Sequence, residues 1–281
     1  MRPQPLKMRR SARAFSRAIP LRRPSPRLAV FVILLLFSSG CSLITAQKPV
    51  RLATEEARQI VERLDSDRAK VRTLRSFARL MLLTEGRTYR ASVAVILERP
   101  DRFRIEFLGP FNHPRHILAF DGKMFSEVGD NKEIRLQDAE ASSSTLSSLG
   151  LKPEWLVSAI LGLPPISRES LVVDGASREA RNRVRLDLRD CHADITLWAR
   201  QRSQSPYVEK AVVKPQSGKE PLVEMQYSDF RDITGQDNTH CRVPRTVTIS
   251  VPERRKSLRI LFSEPELNAE LNAAVFRIER P

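Results

Sequence analysis

The chain has 281 residues, 29% charged and 41% hydrophobic, with 48 Lys and Arg against 33 Asp and Glu, a net charge of +15. So basic a balance invites a nucleic-acid reading, but Arg2, Lys7, Arg9, Arg10, Arg13, Arg17, Arg22, Arg23 and Arg27 crowd the amino terminus, and the remainder carries 39 basic against 33 acidic residues, a net charge of +6. Those remaining charges are interspersed, as in Arg183, Arg185, Asp187 and Arg189, which reads as a solvated strand face and excludes a nucleic-acid partner, while a mildly basic surface still favours adsorption to anionic lipid headgroups.

The first element is a leader. Met1 to Arg27 contains cations and no acid, Leu28 to Phe37 is unbroken apolar sequence, and Ser38-Ser39-Gly40 lead into Cys41. An apolar run of about ten residues is too short to span a bilayer, which takes roughly 20, so the segment reads as a cleaved secretory signal. It resembles a bacterial lipoprotein signal, with Ser38 standing where Leu is usual. The resemblance implies diacylation of the Cys41 thiol, cleavage just before it, and, because Ser42 rather than Asp follows, delivery to the outer membrane. The alternative is an ordinary secretory signal in which Cys41 is incidental. Residues 1–40 are thus expected to be signal, residues 41–52 a lipidated tether, and residues 53–281 one domain long enough to bury a single core.

Within that domain Thr54 is placed to cap a helix with Glu55 and Glu56 in its first turn and Ala57, Ile60, Val61 and Leu64 on one face. From Leu74 the period changes to two. Tyr89, Ala91, Val93, Val95 and Leu97 share one face, and Phe103, Ile105 and Phe107 alternate with Arg102, Arg104 and Glu106, the signature of long antiparallel strands. Glu85-Gly86 and Asp121-Gly122 supply tight turns. The Ser-rich stretch Ser142 to Ser148 reads as a surface helix or loop.

Pro153 and Gly162 bracket a short helix whose Trp155, Leu156, Val157, Ala159, Ile160 and Leu161 leave little polar surface. Such a helix is covered on most sides or faces a greasy cavity, and both roles stay open for Trp155, Leu156, Ile160 and Leu161. Strands resume at Val184, Leu186 and Leu188, then at Ile195 and Leu197, Tyr207 to Val213, Leu222 to Tyr227, Thr246 to Val251 and Leu258 to Phe262. About ten antiparallel strands with two helices predict a mainly β fold, a strongly curved sheet or half-open antiparallel β-barrel with covering helices.

Cys191-His192 and His240-Cys241 mirror each other. A disulfide, two thiols and a zinc site are all conceivable. The metal reading is set aside because adjacent Cys and His point to opposite sides of a strand and no short CxxC pair is present. His113 and His116 lack a helix or a nearby acid in sequence and read as surface imidazoles. No G-x-S-x-G, phosphate loop, H-E-x-x-H or dinucleotide fingerprint occurs, so neither catalysis nor a cofactor is expected.

The order of several motifs resembles the LolA/LolB-type lipoprotein-sorting family, and within it the lipid-anchored outer-membrane member. The motifs are Arg102-Phe103-Arg104-Ile105 leading to Leu108-Gly109-Pro110-Phe111, the Trp155 helix ending Leu161-Gly162-Leu163-Pro164, and Tyr227, Val243-Pro244 and Phe276-Arg277-Ile278 toward the end. The resemblance implies a half-open barrel that shelters lipoprotein acyl chains handed over by a soluble periplasmic carrier and passes them into the inner leaflet of the outer membrane. It makes Phe111, with Pro110 and Leu108, a membrane-insertion loop, and a monomer is expected. The residues themselves allow two placements of Phe111: projecting, where lipid would gain about 1.5–3 kcal/mol from it, or folded under its own loop. A lipoprotein of the same fold that binds lipid more generally or serves as an envelope scaffold is the alternative function.

Overall fold

Period-two alternation governs nearly the whole domain, and the inward residues are those with β-branched, aromatic or Leu side chains that fit a pleated, half-buried surface. The computed structural model describes residues 49–129, 134–138, 153–162, 171–179, 182–191, 193–201, 206–216 and 222–278. The leader, Cys41, the Ser-rich stretch, His192, Leu163-Pro164 and Pro281 lie outside the described residues.

The strands are β1 (Val50–Arg51), β2 (Thr73–Thr84), β3 (Arg87–Glu98), β4 (Arg102–Leu108), β5 (Pro114–Phe120), β6 (Met124–Val128) and β7 (Ile134–Asp138), followed by β8 (Val172–Glu179), β9 (Arg183–Arg189), β10 (Ala193–Arg200) and β11 (Tyr207–Pro215). They continue as β12 (Val223–Thr234), β13 (His240–Val251), β14 (Lys256–Phe262) and β15 (Glu266–Leu267). All pair antiparallel in one sheet of order β1-β8-β9-β10-β11-β12-β13-β14-β2-β3-β4-β5-β6-β7, with β15 also on β2. The sheet is strongly curved and not closed, since β1 and β7 end the order without pairing to each other. Among the described residues fifteen strands replace the ten or so expected. The short β1, β7 and β15 and the bulged β8 account for the difference, because each is too brief or too interrupted to show alternation.

Among the described residues two α-helices lie on the inner face. Helix α1 (Thr54–Ala69) buries Ala57, Ile60, Val61 and Leu64, the face read from its spacing, but Ala53 rather than Thr54 occupies the capping position and no side chain caps it. Helix α2 (Pro153–Ile160) packs against β4 and β13. It stops at Gly162, whose φ of +93° only glycine adopts without strain and where an added Cβ would come within 3.1 Å of the Pro244 ring. Both helices share one core with Val93, Val95 and Leu97 of β3, Phe103 of β4, Leu186 and Leu197 of the β9–β10 pair, and Phe262.

The turns at Glu85-Gly86 and Asp121-Gly122 are where they were expected. Glu85 and Gly86 both have positive φ, as a two-residue hairpin matched to strand twist requires. Asp121 accepts hydrogen bonds from the Lys123 and Met124 amides, both 2.9 Å. Val243-Pro244 falls inside β13, where Pro244 is buried.

A polar clasp fastens the opposite end of the sheet from the β4–β5 loop. The buried Asn268 side chain donates to the Lys70 carbonyl at 2.8 Å and to Asp237 at 2.9 Å, and accepts the Arg72 amide at 2.8 Å. Asp237, in the β12–β13 turn, is held by Asn268, by Thr239 and by the Arg72 guanidinium, which together lower its carboxyl from 3.8 to about 2. A depressed carboxyl stabilises the fold fully above its unfolded value, and this contribution is lost as pH falls through the folded value. Stability should therefore decline between pH 3.8 and about 2 more steeply in the native protein than in an Asp237→Asn variant, as read from urea midpoints across that window.

Phe103, Phe120 and Phe125 form an aromatic cluster with ring centroids 4.6 to 6.0 Å apart, anchoring the strands that carry the β4–β5 loop. Phe103 is fully buried. Phe103→Ala should cost about 3–5 kcal/mol in equilibrium denaturation, through lost transfer energy and the cavity left behind.

Candidate membrane loop and acyl-chain hollow

The β4–β5 loop is short and tightly determined. The Gly109 amide donates to the His113 carbonyl at 2.9 Å and the Asn112 amide to the Gly109 carbonyl at 3.2 Å. The Arg115 side chain lies against Gly109, where an added Cβ would come within 2.8 Å of it and displace the arginine. Pro110–Asn112 makes one 3-10 turn, and inside it Phe111 (φ +61°, ψ +23°) and Asn112 (φ +60°) are left-handed. Asn tolerates that region; for Phe it costs about 1–2 kcal/mol. Phe111 is 92% exposed, so nothing it packs against repays the strain. Of the two placements left open by the sequence, the projecting one is adopted. Pro110 is exposed beside it and Leu108 is half-buried at the end of β4.

The loop's flank is stiffened from β5. The His116 ring stacks edge-on against Phe107 at 5.4 Å, and its Nε2 lies 3.1 Å from Glu127 Oε1 on β6. The sequence showed no acid near this histidine because the partner comes from a neighbouring strand.

The second feature is a half-open hollow of about 970 Å³ between α1 and β8. Val61, Leu64, Leu171, Val173 and Leu197 give it an apolar lining, and Arg58, Glu62 and Asp65 stand on its helical side. Its size lies at the upper end of ligand cavities, which run to about 1,000 Å³. The helix above it is tied down at both ends: Glu56 pairs with Arg178 of β8 at 2.6 Å, and Arg68 Nη2 donates to Ser158 Oγ of α2 at 2.7 Å.

The hollow does not involve the helix to which sequence reasoning looked for it. Leu156 and Ile160 are 0% and 1% exposed and belong to the packed core, with the half-buried Trp155 packed on it. Leu161 borders only a small cavity of about 50 Å³, room for a few waters and no acyl chain. Of the two roles open to α2, core packing is the one it has, and none of Trp155, Leu156, Ile160 and Leu161 lines the hollow. Sequence reasoning missed β8, whose Leu171-Val172-Val173 signal is cut short by the bulge at Val173 to Gly175.

Cys191 and Cys241 do not form a disulfide. Cys191 lies in the β9–β10 turn beside Ala193, which pairs with Pro215, whereas Cys241 pairs with Ile233 at the other end of β13, three strands away. That separation far exceeds the roughly 6 Å between Cα atoms that a disulfide spans. Among the described residues no cluster of three or more His, Cys, Asp or Glu side chains could hold a metal ion.

Three solved structures place this architecture. A DUF1329 family protein from Desulfovibrio piger superposes with a TM-score of 0.56 at 12% identity, over 80% of this chain and 97% of that one. A putative outer membrane lipoprotein-sorting protein domain from Vibrio parahaemolyticus does so with a TM-score of 0.56 at 10% identity, over 78% and 97%. A LolA superfamily protein from Nitrosomonas europaea gives 0.50 at 14% identity, over 81% and 99%. The fold is LolA/LolB-like. No protein-family model matches the sequence, and no curated protein does.

If the Phe111 ring contributes nothing to the fold, replacing it should not destabilise the protein. Phe111→Asn should leave the midpoint of chemical denaturation unchanged or raise stability by up to about 1 kcal/mol, because Asn accepts the left-handed conformation that strains Phe. A loss of several kcal/mol would mean that the ring is packed in solution.

Proposed function

We propose that the protein is an outer-membrane lipoprotein, anchored through Cys41 and facing the periplasm, that takes up the acyl chains of other lipoproteins beneath α1 and helps insert them into the inner leaflet. The observation that carries this reading is Phe111, a fully projecting apolar ring on a tightly bonded loop, held in a conformation unfavourable to it. Partition of that ring into hydrocarbon gains about 1.5–3 kcal/mol, which offsets its strain only where lipid is present. Pro110 and Leu108 are the other members of the loop's apolar tip and root. The hollow under α1 supplies the second requirement, an apolar surface on which an acyl chain is shielded from water, with charged groups beside it for the polar end of the cargo.

In this reading the protein makes and breaks no covalent bond and needs no cofactor. Its partners are acyl chains, the bilayer and a soluble LolA-type carrier that delivers the cargo. A general lipid-binding or scaffold role on the same fold is the second reading, favoured by the sealing of α2 into the core, which leaves a smaller apolar chamber than two mobile covers would.

Phe111→Glu separates the two. In cells depending on the variant, lipoproteins should accumulate short of the outer membrane while the variant itself folds and fractionates normally, whereas correct lipoprotein localisation would remove the insertion role and leave the scaffold reading. Mass spectrometry of lipids that co-purify with the protein should find acyl chains under either lipid-handling reading and none under a purely structural one.

A further inference from the structure

The outer face of the sheet mostly follows a simple electrostatic rule, and among the described residues three neighbouring strands depart from it together. Its arginines are mostly matched by a carboxylate on the same or a neighbouring strand: Arg75 with Glu266 at 2.7 Å, Arg104 with Glu106 at 2.6 Å, Arg185 with Asp187 at 3.0 Å, Arg200 with Glu209 at 2.6 Å and Arg242 with Asp232 at 3.3 Å. Arg79, Arg90 and Arg259 form no ion pair with any described residue and are all exposed. They come from three strands. Register sets Met81 of β2 opposite both Arg259 of β14 and Arg90 of β3, each about 4.8 Å away across the sheet, and Arg79 lies on the same face two residues along β2. Together with Met81, Ser92 and Leu261 the three line a common hollow of about 490 Å³.

Like charges on neighbouring strands repel and lower stability, so the cluster is not explained by folding. It also sits on apolar ground. The outward side chains of β2 alternate Phe77, Arg79, Met81 and Leu83, with Phe77 60% and Leu83 39% exposed. The patch flanks the Phe111 loop, because Ser92 pairs with Leu108 at the end of β4 and β3 runs on past it to Arg90 and Arg87. Exposed Arg87, Arg115 and Arg255 border the same end of the sheet.

Arginine guanidinium groups bind phosphate through paired donors, and apolar side chains between them suit the boundary where headgroups give way to acyl chains. We propose that Arg79, Arg90 and Arg259 form a docking face for anionic phospholipid headgroups that sets the Phe111 end of the sheet against the bilayer. The face shares with the proposed function only that orientation, and it does not require lipoprotein transfer to be the protein's task.

The test uses the protein as purified from cells, combined with vesicles of phosphatidylcholine alone or of phosphatidylcholine with phosphatidylglycerol. Arginine modification by phenylglyoxal is then followed residue by residue by mass spectrometry. Each basic side chain near an anionic surface gains about fivefold in local partition, so modification of Arg79, Arg90 and Arg259 should slow by about that factor in the anionic vesicles. The effect should vanish in high salt, while the ion-paired Arg185 and Arg242 react equally in both lipids. Equal rates at the three arginines in the two lipids, or slowing spread over Arg185 and Arg242 as well, would overturn the proposal. Lipoprotein localisation in the Phe111→Glu strain reports on transfer alone, so failure of one reading is distinguishable from failure of the other.

Discussion

An open antiparallel sheet cannot bury its own inner face, and this constraint organises everything else in the molecule. In a closed barrel the apolar faces of opposite strands meet across a filled interior, but here β1 and β7 stay apart and the curve is left open. The inner side chains, from Leu74 and Val93 through Leu186 and Leu197 to Val247 and Ile260, therefore need a cover that the sheet does not supply. Among the described residues the two helices provide that cover. They do the job unequally: α2 is driven down until Leu156, Val157 and Ala159 have no exposure, while α1 buries one stripe and leaves space along its flank. Incomplete cover is what gives the fold an interior that another molecule's apolar chain can occupy.

The difference between the helices follows from their sequences. Apart from Ser158, whose hydroxyl accepts from Arg68, the described side chains of α2 between Trp155 and Ile160 are apolar, so the helix gains by being surrounded. Helix α1 has charge at Arg58, Glu62, Arg63 and Asp65 and must keep one side in water. Its tie to β8 through Glu56 and Arg178 is solvent-exposed on both sides, and exposed ion pairs contribute about 0–1 kcal/mol. The helix with the hollow is thus also the one fastened to the sheet edge by a weak contact.

Much of this was legible in the sequence, and the illegible parts share one cause. The stripe Ala57, Ile60, Val61 and Leu64, the alternation of β3 and β4, and the Glu85-Gly86 turn are encoded within a few residues of chain, where periodicity and turn chemistry act. What could not be read depends on which strands become neighbours. The Glu127 partner of His116, the distance between Cys191 and Cys241, and the convergence of Arg79, Arg90 and Arg259 are facts of register. The role of α2 stayed open for a related reason: an apolar helix looks the same in sequence whether its neighbours are packed side chains or empty space. Phe111 was singled out by the resemblance of its motif, and the residues themselves left both a projecting and a folded-under placement open.

Two departures from folding economy therefore sit at the same end of one sheet. A phenylalanine in the left-handed region with its ring in water costs stability twice, through backbone strain and through an apolar surface left hydrated. Three arginines on adjacent strands without carboxylate partners add mutual repulsion. Elsewhere the same sequence mostly avoids such costs: many strand arginines have a carboxylate partner, positive φ falls mainly to Gly, Asn and Asp, and the large aromatics Phe103, Phe125, Phe262 and Phe276 are fully buried. A chain that follows these rules across most of its surface and breaks two of them side by side is best explained by an environment other than water at that end. A bilayer surface relieves both costs together, since hydrocarbon accepts the ring and phosphates neutralise the guanidinium groups. Water screens the second cost only in part and leaves the first, and an apolar protein partner would relieve only the first.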